Sequence, residues 1–164
     1  MEIVELTDVS FGPYGRVLDN LDRAPTKSGE GWTCYSQVDF LMPKAPMGIG
    51  VVYCSEIPDE INAMERHVSR EEMLWATTED VLMCVDLPIH LGDAAARPNV
   101  DTAKVFRIRA GQAVIISRGT WHSPAFAVKG NAKYYFLVEC AKDLVDQDDA
   151  PWIPFQGDRS IKTK

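Results

Sequence analysis

Residues 111–122, GQAVIISRGTWH, decide how the rest of the chain is read. A turn at Gly111 opens a short apolar strand, Ala113-Val114-Ile115-Ile116, and Ser117-Arg118-Gly119 closes it. Trp121 and His122 start the next strand, followed by Ser123-Pro124-Ala125-Phe126. A histidine just past a tight glycine turn, inside an apolar stretch, is held by backbone geometry. Taken alone, His122 reads as a core histidine whose nitrogens are hydrogen-bonded, because buried polar groups need partners.

His122 has company upstream, in Glu65-Arg66-His67-Val68-Ser69-Arg70-Glu71-Glu72. Strand parity puts Glu65 and His67 on one face with Ile61 and Ala63. A face that starts apolar and ends in Glu-x-His leaves a core and enters a pocket. Glu72 follows His67 by five residues and shares parity with Leu74. The choice between Glu71 and Glu72 stays open, because it assumes that this segment is a strand. Imidazole nitrogen with carboxylate oxygen suits Zn, Fe, Mn or Ni.

These motifs resemble the cupin superfamily. The run Gly111-x5-Ser117-x-Gly119-x2-His122 is similar to the second cupin motif, with Ser117 in place of its proline. His67-x4-Glu72 is similar to the second half of the first motif, and Glu65 stands where that motif has its first histidine. Phe126 takes the place of the asparagine that usually follows the last histidine.

Within the cupins the chain resembles the ureidoglycolate lyase family over nearly its full length. Phe11-x-x-Tyr14-Gly15-x-Val17-Leu18 is similar to that family's N-terminal Phe-x-x-Tyr-Gly-x-Val-Ile. Met64-Glu65-Arg66-His67 resembles its Leu-Glu-Arg-His, and Pro98-Asn99-Val100-Asp101-Thr102 before Phe106 resembles its Pro-Asp-Leu segment. Arg118-Gly119-Thr120-Trp121-His122-Ser123-Pro124 resembles its Arg-Gly-Val-Trp-His-His-Pro. Three positions depart: Ile115 replaces an asparagine, Ser123 a second histidine, and Glu72 the usual glutamine. The first two remove polar groups from the expected pocket, and the third adds a carboxylate.

The chain has 164 residues, 46% hydrophobic and 25% charged, which suits one domain with a sizeable core. The expected division is an N-terminal arm over 1–47, a core over about 48–140 and a tail over 141–164. A net charge of −7 with no basic run argues against a nucleic-acid partner. No apolar run reaches the ~20 residues of a membrane helix, so no membrane partner is expected. The acidic start, Met1-Glu2-Ile3-Val4-Glu5, lacks the pattern of a signal peptide, and a cytoplasmic protein is expected. Cys34, Cys54, Cys84 and Cys140 are widely spaced without a CxxC, and read as reduced, mostly buried thiols.

Strands are expected over 33–41, 48–55, 60–68, 81–87, 104–109, 113–116, 121–128 and 133–140, after a short strand within 1–9, and 71–77 reads as a strand or a helical turn. Residues 48–55 form a continuous apolar run, as in a buried strand, and 88–102 read as a long loop. Phe11 and Tyr14 read as aromatic plugs beside a turn. Eight or more short strands, a turn signal about every ten residues and no βαβ alternation predict an all-β sandwich or barrel. The resemblance narrows this to the cupin double-stranded β-helix, a jelly-roll barrel with few short helices. The acidic tail ends in Pro151-Trp152-Ile153-Pro154-Phe155, expected to pack on the barrel or on a second subunit, and residues 159–164 are expected to lack structure.

The expected metal ligands are His67, Glu72 and His122, with Glu65 as a fourth ligand or a general base. Two histidines with carboxylates leave open positions for substrate or water. Glu65 and Arg118 are the expected catalytic pair, and Arg107, Trp121 and Tyr135 the expected substrate contacts. Arg107, Arg109 and Arg118 have donors that suit a carboxylate. His90 reads as a loop histidine, and Tyr134, Phe136 and Trp75 as core or pocket wall. The resemblance implies cleavage of ureidoglycolate to glyoxylate and urea, with a divalent metal in the barrel and a homodimeric assembly. Two other functions fit the same residues: a metal-dependent cupin isomerase or lyase acting on a sugar acid or keto acid, and a non-catalytic module that binds small acids.

Overall fold

The computed structural model describes residues 2–18, 24–87, 90–140 and 151–164. The chain opens with β1 (Ile3–Glu5), one helical turn α1 (Asp8–Phe11) and β2 (Gly15–Val17). A hairpin of β3 (Lys27–Gly29) and β4 (Trp32–Cys34) precedes the long β5 (Met47–Ser55). Two short strands follow, β6 (Glu60–Ile61) and β7 (Ala63–Met64), then β8 (Glu72–Ala76), β9 (Val81–Asp86) and β10 (Lys104–Ile108). The barrel is completed by β11 (Ala113–Ile116), β12 (Trp121–His122), β13 (Phe126–Ala127) and β14 (Asn131–Glu139), and the end of the chain adds β15 (Ile153–Pro154) and β16 (Ile161–Lys162).

Two five-stranded sheets carry the fold. One runs β1-β10-β9-β12, with β13 also paired to β9, and the other runs β2-β11-β8-β14-β5. Apart from β9 and β10, neighbours in each sheet are not consecutive in sequence, which is the interleaving of a jelly roll. The main core lies between the sheets, where Leu74, Met83, Phe106, Ile108, Val114 and Ile116 are all buried. Phe11 and Tyr14 plug one end, and the Phe11 ring meets Phe106 edge-on at 5.2 Å. Thr7 caps α1, a helix absent from the sequence-based expectation, through a reciprocal bond with Ser10.

Several boundaries differ from expectation. The strand expected over 33–41 stops at Cys34, and Gln37 takes a positive φ of 56°. The apolar run in β5 is half-exposed, because β5 is the sheet edge and its side chains alternate. Ile49 and Tyr53 point outward, at 75% and 79% exposure. The terminal residues are structured: Ile161 pairs with Ile61, and Ile153 with Met64. Phe155 is buried with Ile61, Met64, Leu82, Trp121 and Cys84 in a second cluster. The aromatic-proline segment therefore packs on its own barrel. The acidic stretch 141–150 and residues 88–89 of the expected long loop lie outside the described residues.

Candidate metal centre

His122 reaches the barrel interior because Gly119 allows the turn before it. Gly119 has φ +79°, which favours glycine, and its amide donates to the His67 carbonyl at 2.8 Å. Glu65 and His122 then form an antiparallel bridge, each amide donating to the other's carbonyl at 3.0 and 2.9 Å. Directly opposed residues in such a bridge share a face, so both side chains enter the same cavity. Glu72 arrives from β8, opposite Ile116 and Val138.

The donors converge. Glu65, His67 and His122 each offer a ligand atom, and the three lie within 4.8 Å of one another. His122 Nε2 is 3.6 Å from Glu65 Oε1 and 3.8 Å from Glu72 Oε2. His67 Nε2 is 2.9 Å from Glu72 Oε2. His122 Nδ1 is 3.0 Å from the Thr120 carbonyl oxygen, which can only accept. That bond fixes the tautomer and leaves the Nε2 lone pair facing the carboxylates. His122 Nε2 is buried and has no hydrogen-bond partner. A divalent metal would satisfy this donor set.

Electrostatics favour the ligating forms. Burial pushes the His122 imidazole below its ordinary pKa, only partly opposed by Glu72. Burial alone would raise the Glu72 carboxyl, but the His67 hydrogen bond and the His122, His67 and Arg70 charges hold it below the usual range. A depressed His122 imidazole beside a depressed Glu72 carboxyl suits metal ligation.

The cavity has a volume of about 510 Å³. Glu65, His67, Arg70, Glu72 and His122 supply most of its charged groups, and Leu74, Tyr134, Phe136, Val138 and Trp152 line much of the remainder. Glu71 is not part of it: Arg16 donates to both of its carboxylate oxygens, at 2.8 and 3.2 Å, and to Asp39 at 2.6 Å. Parity thus divides the adjacent glutamates, Glu72 inward and Glu71 outward.

Other expected site residues lie elsewhere. Arg107 is on β10 and binds Asp80 at 2.6 Å, outside the cavity. Trp121 is buried in the second cluster beneath Arg66, whose guanidinium sits 4.4 Å from the ring centre. Tyr135 is on the opposite face of β14, paired with Val51 and Trp75, whereas its neighbour Tyr134 lines the cavity. Arg118 is exposed and lines an adjoining cavity of about 430 Å³ that shares Arg70 and Glu139. His90 is an exposed loop residue with φ 55°.

Ile115, expected near the pocket, pairs with Arg16 and Met73, while its neighbours Val114 and Ile116 join the core. Arg70 and Trp152 line the cavity without having been expected there. Parity with Glu72 could have revealed Arg70. Nothing local to Trp152 marks its position.

Two facing five-stranded sheets with histidines and carboxylates converging between them define a jelly roll with a candidate metal site. The chain belongs to the ureidoglycolate lyase family, whose profile matches residues 1–152. No curated protein sequence matches it. Among solved structures it is similar to RmlC from Streptococcus suis in complex with dTDP-D-xylose, at 11% identity and TM-score 0.46. That match covers 65% of this chain and 50% of the other, so this chain spans half of its length. Oxalate decarboxylase from Lactobacillus farciminis, a formate complex, matches at 12% identity and TM-score 0.41, over 58% of this chain and 24% of the other. A mutant oxalate decarboxylase from Bacillus subtilis matches at 13% and 0.41, over 73% and 28%.

Proposed function

We propose that this protein is a metal-dependent cupin lyase that cleaves the carbon–nitrogen bond of an α-hydroxy acid of the ureidoglycolate type, releasing glyoxylate. The observation that carries this reading is the buried His122 Nε2, fixed from behind by Thr120 and facing two carboxylates. Glu65, His67 and His122 hold the metal. Relative to the expected ligand set this exchanges the two carboxylates, Glu65 becoming a ligand and Glu72 a base. When bound, a divalent ion such as Zn, Mn, Fe or Ni supplies Lewis acidity, which lowers the pKa of a hydroxyl it holds.

The chain's own groups do the rest. Glu72, held ionised, takes the proton of the substrate hydroxyl. The carbon–oxygen bond becomes the aldehyde of glyoxylate as the carbon–nitrogen bond breaks, with its electron pair going to nitrogen. Glu72 then returns the proton to that nitrogen. Arg70, lining the same cavity, binds the substrate carboxylate in place of the expected Arg118 and Arg107.

The test is metal analysis with a glyoxylate assay on ureidoglycolate. About one metal per chain and glyoxylate release abolished by chelator support the proposal. Full activity in rigorously metal-free protein sinks it. The expected homodimer is supported by the exposed apolar face of Ile49, Val51, Tyr53 and Trp75 on β5 and β8. A monomeric mass by light scattering would remove it.

A further inference from the structure

Besides its histidines and carboxylates the cavity carries an apolar wall. From β14, Tyr134, Phe136 and Val138 project inward, beside Leu74 of β8 and across from Trp152. The Phe136 ring lies against Gly50, where an added Cβ would come within 2.0 Å of it. Glycine at that inward position of β5 is what lets the ring form a wall. Trp152, Ser123 and Pro124 also border an adjoining depression of about 280 Å³ that reaches Ile61 and Phe126.

Several polar groups near this wall already hold hydrogen bonds. The Ser123 hydroxyl donates to the Pro124 carbonyl at 2.7 Å and accepts from the Cys84 amide at 3.1 Å. The Tyr134 hydroxyl accepts from the Ala125 amide at 3.3 Å, and Glu139 accepts from the Lys44 amide at 2.8 Å. A ureido terminus brings several donors and an acceptor, and would lose its water against Leu74, Phe136 and Val138. Leaving such groups unpaired is costly, whereas an apolar group gains from the same surroundings.

We infer that the wall of Leu74, Phe136, Val138 and Trp152 is a subsite for an apolar acyl group, and that the substrate is an N-acyl-α-hydroxyglycine bearing one. This rests on the proposed lyase reaction and specifies its leaving group. The balance is unchanged: the hydroxyl proton passes to the departing nitrogen, the carbon–nitrogen bond breaks, and the products are glyoxylate and the primary amide.

The experiment compares two unreactive probes on metal-loaded protein by calorimetry. Hippurate (N-benzoylglycine) carries a phenyl group where hydantoate (N-carbamoylglycine) carries an amino group. Hippurate is expected to bind at least about tenfold tighter. Trp152→Ala and Val138→Ala should each weaken hippurate several-fold and leave hydantoate and the unfolding temperature unchanged. In parallel, glyoxylate release is measured from α-hydroxyhippurate and ureidoglycolate, and the former should be preferred. Hydantoate binding equal to or tighter than hippurate, with ureidoglycolate turned over, overturns the apolar subsite and leaves the lyase reading intact. Preference for hippurate with cleavage of neither substrate overturns the N-acyl-α-hydroxyglycine assignment and the lyase reading, and leaves the subsite. Binding of neither probe overturns subsite and reaction together.

Discussion

Glu65 and His122 are directly paired across an antiparallel bridge, and their side chains meet inside the barrel with Oε1 3.6 Å from Nε2. The bridge fixes the two backbones, so the separation of the donors is set before any ion arrives. His122→Ala and His67→Ala are each expected to weaken binding of Mn²⁺ or Ni²⁺ by more than the roughly 10–100-fold that loss of a supporting partner costs. Titration calorimetry measures this directly, and unchanged affinity in either variant would remove that histidine from the site.

Glu72→Gln separates base from ligand. It keeps the side-chain volume and retains a hydrogen bond toward His67. Turnover is expected to fall by about 10²–10⁴, the contribution of a positioned proton-transfer group. Metal content should stay near the wild-type value. A variant with normal turnover would show that the hydroxyl proton leaves by another route.

The Arg16 guanidinium bridges Glu71 and Asp39 and is about one-third exposed. Charge-assisted forked bonds of this kind are stronger than neutral ones. Arg16→Ala and Glu71→Ala should each destabilise by about 1–2 kcal/mol in urea unfolding. The double variant should lose much less than the two together, because the second change removes a bond already broken. Full additivity would mean that the pair contributes nothing.

Asp80 gives a pH dependence with a definite sign. The Ala110 amide and the Arg107 guanidinium hold its carboxyl below the ordinary value. Its contribution is fully present above the unfolded pKa of about 3.9 and is lost as pH falls through the lower folded value. Asp80→Asn should therefore be less stable than wild type at pH 6, with the gap closing near pH 3. Denaturant midpoints at the two pH values read the difference, and a gap that does not narrow would contradict the assignment.

Much of this fold was written in local sequence. Short apolar runs between turn signals, with alternation in β10, located β8, β9, β10, β11 and β14 to within a residue or two at most ends. The spacing of Glu65, His67, Glu72 and His122 singled out four side chains that meet in one cavity. Side-chain parity is a property of the backbone, so it survives folding and can be read beforehand.

What parity cannot supply is which strands become neighbours and which face the two sheets enclose. Tyr134 rather than Tyr135 lines the cavity because β14 places its even-numbered residues toward β9 and the core. Arg107 went to Asp80, and Glu71 to Arg16, because partners 27 and 55 residues away were brought within reach. Trp152 joined the cavity only because β15 and β16 return to pair with β7 and β6. The sequence by itself determined the strands, the turns and the metal-type donors. The tertiary structure alone decided the apolar wall and the partner of each charge, since those depend on long-range pairing that no local pattern encodes.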